Sequence, residues 1–337
     1  VNHDIAFAKK RGTGFNLAIG EPYCLQSILA ARLEIPRLAA REEDLQYPEL
    51  GGHPELLEQL RARYPGMHVV VANGAKQALE AALHYYATSM PGGVALGAVY
   101  AKRPYWPSFE TLARNQLLTF IRDEESLPNY HPEDVCRILT APGNPCGWDY
   151  ERAKHTQIWD AAYASPLYGW RWKEPFTWEV KVESASKMLG VSGLRVGWLV
   201  TENPQLAERA AMFVESTTSG VSNLSQRLVA RMLSTDLSVS TETAAQVINM
   251  NHFTLQEGLY GLKIVERFAP EGLGMFAWFQ IRVDAQPAFE RALKKADVHM
   301  LRGSVFGQRE PGWYRASLGL APRDMANAVE ALTRSFT

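Results

Sequence analysis

Short apolar runs that each close on a turn of small or polar residues put the tightest limit on what this chain can fold into. Val69-Val70-Val71 leads into Asn73-Gly74-Ala75, and Arg137 to Thr140 leads into Ala141-Pro142-Gly143-Asn144-Pro145. Val94 to Val99 ends at Arg103-Pro104, and Val180 to Val182 stops just before Ser184. Such runs read as strands, and the residues after them as turns. Helical spacing of apolar residues fills Pro54 to Arg63 and the stretch from Asn73 to about Tyr86. Apolar strands alternating with helices predict an α/β fold, a mostly parallel mixed sheet flanked by helices on both faces. Ligands in such sheets bind beyond the carboxyl ends of the strands, where these turns gather.

At 337 residues the chain exceeds the usual size of one hydrophobic core. From roughly Ser240 onward, helical segments surround Met275 to Val283, which alternates like a strand, so a smaller α+β lobe is expected. No repeat or polar linker separates the two parts, which implies interleaved lobes. The expected division is a large domain over residues 40–235 and a small domain built from residues 1–39 and 236–337.

Thirty-five Lys and Arg against 36 Asp and Glu leave a net charge of -1, no global field for nucleic acid or an acidic membrane surface. Any anion must be bound locally. No apolar stretch is long enough to cross a bilayer. Cys24, Cys136 and Cys146 are odd in number and widely spaced, which indicates neither a disulfide framework nor a metal cluster. Free thiols in a reducing cytoplasm are the expectation. Val1 to Gly12 carries charges at Asp4, Lys9 and Lys10 without the apolar core of a signal peptide, so secretion is not expected.

The segment from Ser184 to Trp198 carries the densest chemistry. It holds hydroxyls at Ser184 and Ser186, one lysine at 187, glycines at 190, 193 and 197, and Arg195 eight residues after the lysine. Glycines admit close backbone approach, and Ser184 with Arg195 suits a phosphate. A desolvated Lys187 near cations would have the nucleophilic amine that imine formation requires. Alone, the same segment also reads as a solvated lysine in a glycine-rich turn. Trp159-Asp160-Ala161-Ala162-Tyr163 lies at the end of a plausible strand, with Asp160 27 residues before Lys187. A buried carboxylate there would keep a pyridinium nitrogen protonated, and Tyr163 would donate to a ring oxygen. Asp160 as a helix N-cap is the plainer alternative.

Asn144 offers a side-chain amide at a strand end, within what is otherwise a Pro/Gly turn. Gly74, Ala75 and Lys76 open a helix whose N-terminal amides suit phosphate oxygens. Trp106, with Tyr105 second, offers an aromatic face for a ring, although core packing explains most single tryptophans. Arg315 would grip a carboxylate through paired hydrogen bonds, or form a surface ion pair.

Taken in order, these motifs resemble fold-type I pyridoxal-phosphate enzymes of the aminotransferase class I/II family. The likeness runs from Gly20-Glu21-Pro22 through Tyr47 and Gly51-Gly52 to Arg315. It implies an aspartate-aminotransferase-like fold with pyridoxal 5'-phosphate held by Lys187 as a Schiff base. Asp160 would face the pyridine nitrogen, and Asn144 and Tyr163 the ring oxygen. Gly74, Ala75, Lys76, Ser184 and Arg195 would hold the phosphate, Trp106 would stack, and Arg315 with Gly20 and Asn144 would bind the amino-acid substrate. Tyr47 would reach the neighbouring phosphate across a homodimer with shared active sites.

The Ser186–Trp198 segment and Glu215-Ser216-Thr217-Thr218-Ser219-Gly220-Val221-Ser222-Asn223 look like the alliinase and tryptophan-aminotransferase-related branch. These 337 residues do not include the cysteine-rich N-terminal module of plant alliinases, the stretch from Asp160 to Lys187 is short, and Arg103 and Cys146 depart from common family choices. An aminotransferase giving a keto acid is the first expectation. An α-decarboxylase or β-lyase, with the amino acid free or attached to something larger, is the second. A scaffold that kept the fold without catalysis is the third. Trp106, Trp148, Trp170 and Trp172 would either line an aromatic-substrate pocket or belong to core and rim.

Overall fold

A computed structural model describes residues 14–32, 34–88, 96–146, 155–168, 177–269 and 274–336. Val1 to Gly12, Trp148, Trp170 and Trp172 lie outside the described residues. In chain order the strands are β1 (Phe15–Asn16), β2 (His68–Ala72), β3 (Ala98–Tyr100), β4 (Thr119–Ile121), β5 (Val135–Thr140), β6 (His155–Asp160) and β7 (Thr177–Ser184). After these come β8 (Gly197–Thr201), β9 (Val265–Phe268), β10 (Phe276–Ile281), β11 (Val298–His299), β12 (Leu301–Arg302) and β13 (Trp313–Ser317).

Seven strands form the main sheet in the order β2-β8-β7-β6-β5-β3-β4. All pairs are parallel except those made by β8, which runs antiparallel to β2 on one side and β7 on the other. The α/β class with a mostly parallel mixed sheet is therefore as the sequence predicts. One face of the sheet, with Val70, Val180, Val182 and Leu199, packs on the helix Ala75–Thr88 through Ala78, Leu79 and Ala82 and on the helix Pro204–Thr218 through Leu206, Ala210 and Val214. On the other, Val71, Trp198 and Val200 meet Leu56 and Leu60 of the helix Pro54–Arg63 and Val229 of the helix Asn223–Leu233. Each fully buried Val or Leu contributes about 1.5–3 kcal/mol relative to exposure. That is why the sheet reads as unbroken apolar runs.

A second sheet, β12-β13-β10-β9, is wholly antiparallel. The long helix Ser238–Gly261 and the helix Pro322–Phe336 pack together beside it. One buried cluster runs from Leu56 and Trp198 through Phe276 and Phe279 to Leu332, so the apolar core is continuous across both sheets.

Two expected strands differ in detail. Of the run at Val94–Val99, Val94 and Ala95 lie outside the described residues, and the strand begins at Ala98, with Leu96 and Gly97 leading into it. Met275–Val283 was expected to alternate, but β10 is buried at all six positions and Val283 already belongs to a 3-10 turn. β10 is an interior strand, sandwiched by β13 and β9 and covered on both faces, so no polar face is needed.

Candidate active site

Five of the expected site segments sit at one edge of the main sheet, at or just past the carboxyl ends of β2, β5, β6 and β7 and at the start of the antiparallel β8. Asp160 closes β6 and pairs in register with Thr140, which closes β5. Thr140 Oγ1 donates to Asp160 Oδ2 at 3.2 Å and the Ala162 amide to Oδ1 at 3.3 Å. The carboxyl is 5% exposed. Burial pushes its pKa up to about 6 against the pull of these two donors, so a cation beside it would be strongly favoured.

Lys187 lies on the one-turn helix Ala185–Met188, whose first turn is capped by Ser184 Oγ accepting from the Ser186 amide at 3.2 Å. Tyr168 donates to the Lys187 carbonyl at 2.8 Å and fixes the backbone under the side chain. The amine donates to the Gly20 carbonyl and, at 2.6 Å, to Glu21 Oε1. Burial lowers the Lys187 pKa, with Arg315 and Arg195 adding to the effect and Glu21 opposing it. That balance enlarges the neutral, nucleophilic fraction. Gly20 is the point where the groups meet: a Cβ there would stand 2.6 Å from the Phe276 ring and 3.1 Å from the Tyr163 hydroxyl. Burial raises the Tyr163 phenol, which Arg315 pulls down and Asp160 and Glu21 push up, so all three charges are close to it.

Arg315, on β13, is 5% exposed. Its guanidinium donates to Asn144 Oδ1 at 2.6 Å and to the Ala18 carbonyl, and lies 4.1 Å over the Phe276 ring and 4.8 Å over Phe306. Among the described residues no carboxylate is within ion-pair distance, and Arg315 Nε is buried without a hydrogen-bond partner. Burial lowers the guanidinium to about 10. A buried cation with a spare donor is suited to a carboxylate brought from outside.

The turn after β2 carries Gly74, with φ +79°, and a Cβ there would meet Arg195 Nη2 at 2.5 Å. Arg195 Nη2 donates to the Asn73 carbonyl at 3.3 Å and Nη1 to the Ser192 carbonyl at 2.9 Å. Gly197 of β8 pairs with Ala72 on one side and Ser184 on the other. This register brings Ser184 beside the Gly74-Ala75 turn and Arg195. A Cβ on Gly197 would stand 2.5 Å from the Ala75 nitrogen and the Gly74 carbonyl carbon. Gly197→Ala is expected to destabilise the fold by about 3 kcal/mol and to loosen the turn, because backbone cannot yield as a flexible side chain does. Thermal unfolding of the variant checks this.

Lys76 is exposed, with its amine 5.3 Å over the Trp106 ring. Tyr105 is committed elsewhere: its hydroxyl donates to Glu110 at 2.5 Å and its ring packs on Phe120 at 4.9 Å. Half-buried Trp106 is the aromatic left near the turn. Tyr47 stands apart, 85% exposed, with no hydrogen bond or ring contact to this cluster among the described residues. Three participants were not assigned from the sequence: Thr140, Glu21 and Phe276. Thr140 was detectable as the residue level with Asp160 on the adjacent strand end, and Glu21 as the neighbour of Gly20. Nothing local marks Phe276.

The model of the family described as aminotransferase class I and II matches residues 13–332. The chain belongs to that family. Its members depend on pyridoxal 5'-phosphate, and the arrangement above has the donors such a cofactor calls for. Tryptophan aminotransferase-related protein 1 of Oryza sativa subsp. japonica is 28% identical over 176 residues, which cover 50% of this aminotransferase-family chain and 38% of that protein. 1-aminocyclopropane-1-carboxylate synthase 6 of Arabidopsis thaliana is 31% identical over 167 residues, 46% of this chain and 33% of that one. The matches thus span well under half of these relatives. The crystal structure of aspartate aminotransferase from Thermotoga maritima superposes with a TM-score of 0.72 at 23% identity, covering 98% of this chain and 94% of the other. The aminotransferase fold of the chain is thereby shown.

Proposed function

We propose that this chain is an aminotransferase in which Lys187 binds the cofactor aldehyde and Arg315 binds the α-carboxylate of an amino acid. One observation carries the reading. A buried carboxyl pushed up to about 6 and a buried guanidinium lacking a described carboxylate partner flank the same phenol, next to a desolvated amine. Pyridoxal 5'-phosphate supplies an aldehyde that captures amines and a protonated ring that draws electrons from the substrate Cα.

Asp160 would keep the ring nitrogen protonated, Asn144 and Tyr163 would serve the ring oxygen, and Trp106 would offer its face to the ring. Gly74, Ala75, Lys76, Ser184 and Arg195 would hold the phosphate. Arg315, with Asn144 and the Gly20 backbone, orients the substrate so that Lys187 moves the Cα proton. Glu21 receives the Lys187 ammonium once the amine is charged. The test is incubation with amino acids and a 2-oxoacid acceptor, with a keto acid product expected. Arg315→Gln should raise KM for the amino acid by about 30-fold or more while the cofactor stays bound, as loss of a buried charge partner costs 2–5 kcal/mol.

A second reading, a lyase or decarboxylase on the same residues, is favoured by the relative named as a synthase. Carbon dioxide, or a keto acid with ammonia, would identify it. We also propose a homodimer, because Leu45 (82% exposed), Tyr47 and Leu50 (61%) project from one short segment. That segment is pinned from behind by the Arg227–Asp44 ion pair and by Asn223 donating to the Glu43 and Gln46 carbonyls. Tyr47 would then contribute to the partner's site. We also propose a cytoplasmic location, which the free, buried thiols of Cys24 and Cys136 suit.

A further inference from the structure

We propose that Gln77, Thr217 and Thr218 are positioning residues for the cofactor phosphate: they hold the Asn73-Gly74 turn, and through it Arg195, in the anion-receiving geometry before the anion arrives. The inference rests on the cofactor reading above. It extends that reading to residues outside the cradle, on the C-terminal end of the helix Pro204–Thr218 and the first turn of the helix Ala75–Thr88.

Both backbone polar groups of Asn73 are tied. Its amide donates to Gln77 Oε1 at 2.8 Å, and its carbonyl accepts from Arg195 Nη2 at 3.3 Å. The Asn73 side-chain amide reaches Gln77 Oε1 at 3.0 Å, Thr218 Oγ1 at 2.8 Å and the Gly220 carbonyl at 3.0 Å. Gln77, only 8% exposed, donates through Nε2 to Thr217 Oγ1 at 2.9 Å and Thr218 Oγ1 at 3.1 Å.

Threonines near a helix end commonly donate to carbonyls one turn back, as Thr217 does to Phe213 and Thr218 to Val214. Here the same hydroxyls also accept from the turn. A hydroxyl offers one donor and two acceptor sites: Thr218 Oγ1 accepts from both Asn73 and Gln77, and its proton is shared between the Val214 carbonyl at 3.0 Å and the Gly220 carbonyl at 3.2 Å. Both acceptor sites are thus spent on the turn and the helix that carries Gln77. Arg195 is aligned at the far end, with one nitrogen on Asn73 and the other on Ser192. A preorganised donor set binds an anion more tightly because it does not reorganise on contact.

The experiment compares uptake of pyridoxal 5'-phosphate with uptake of pyridoxal, which lacks the phosphate, by absorbance titration of cofactor-depleted full-length protein. Thr218→Val and Gln77→Leu should weaken binding of the phosphorylated cofactor at least tenfold and leave pyridoxal within twofold of wild type. Thr218→Ser, which keeps the hydroxyl, should restore wild-type affinity, and Thr217→Val, which removes one bond from Gln77, should give a smaller loss. Equal weakening of both ligands would show a merely structural role and overturn the proposal, as would unchanged binding of the phosphorylated form. A wild-type protein that takes up neither aldehyde would overturn the cofactor reading itself, a result distinct from wild-type uptake with unaffected variants.

Discussion

Lys187→Ala is expected to lose at least about a thousandfold in turnover, because under the proposed function it removes both the amine that takes up the aldehyde and the base that moves the Cα proton, a role worth 10²–10⁴ by itself. No other described lysine is placed to substitute. Lys181 is buried against Glu183 at 3.4 Å and at the Trp159 ring at 4.4 Å, which holds its amine there. Lys76 is exposed beside Trp106. The variant should still fold, since the helix carrying residue 187 is capped by Ser184 and held by Tyr168 through backbone atoms. Steady-state rates and the visible absorbance of the purified variant check both parts.

Asp160→Asn should separate stability from function. In the cofactor-free protein the carboxyl is raised from 3.8 to about 6. Between those values the native state holds a proton that the unfolded chain has released, so the native state binds more protons and stability falls as pH rises through the window. Above it, the buried charge costs about 2–3 kcal/mol at 1.36 kcal/mol per unit. The neutral asparagine removes that cost. Cofactor-free Asp160→Asn is therefore expected to be more stable than wild type at pH 7–8 by up to that amount, with the gap closing toward pH 4. Urea unfolding at several pH values measures it. Turnover should fall a hundredfold or more, as loss of one partner from a buried ion pair costs about 3–5 kcal/mol.

The parts of the fold and site legible in the sequence are those written in neighbouring residues. Asn73-Gly74-Ala75, Asn144, Asp160 and the Ser184–Arg195 spacing each combine a strand end with its chemistry inside a few positions, and all lie at one sheet edge. The parts that stayed hidden depend on contacts between remote segments. Glu21 meets Lys187 across 166 positions, so no local pattern signals that pair, and Arg315 and Asn144, 171 positions apart, are brought together in the sequence only by the family resemblance. The choice between Tyr105 and Trp106 likewise turns on Glu110, which takes the tyrosine hydroxyl as a hydrogen-bond donor. β8 escaped notice for another reason: its glycine at 197 looks like loop, yet it is there because the Gly74-Ala75 backbone passes over that strand position.

The most direct test of the account is borohydride reduction of the holoprotein followed by peptide mass mapping. The account predicts a stable phosphopyridoxyl group on the peptide containing Lys187 and on no other. Label on Lys76 or Lys181, or none at all on a protein that carries the cofactor, would contradict it.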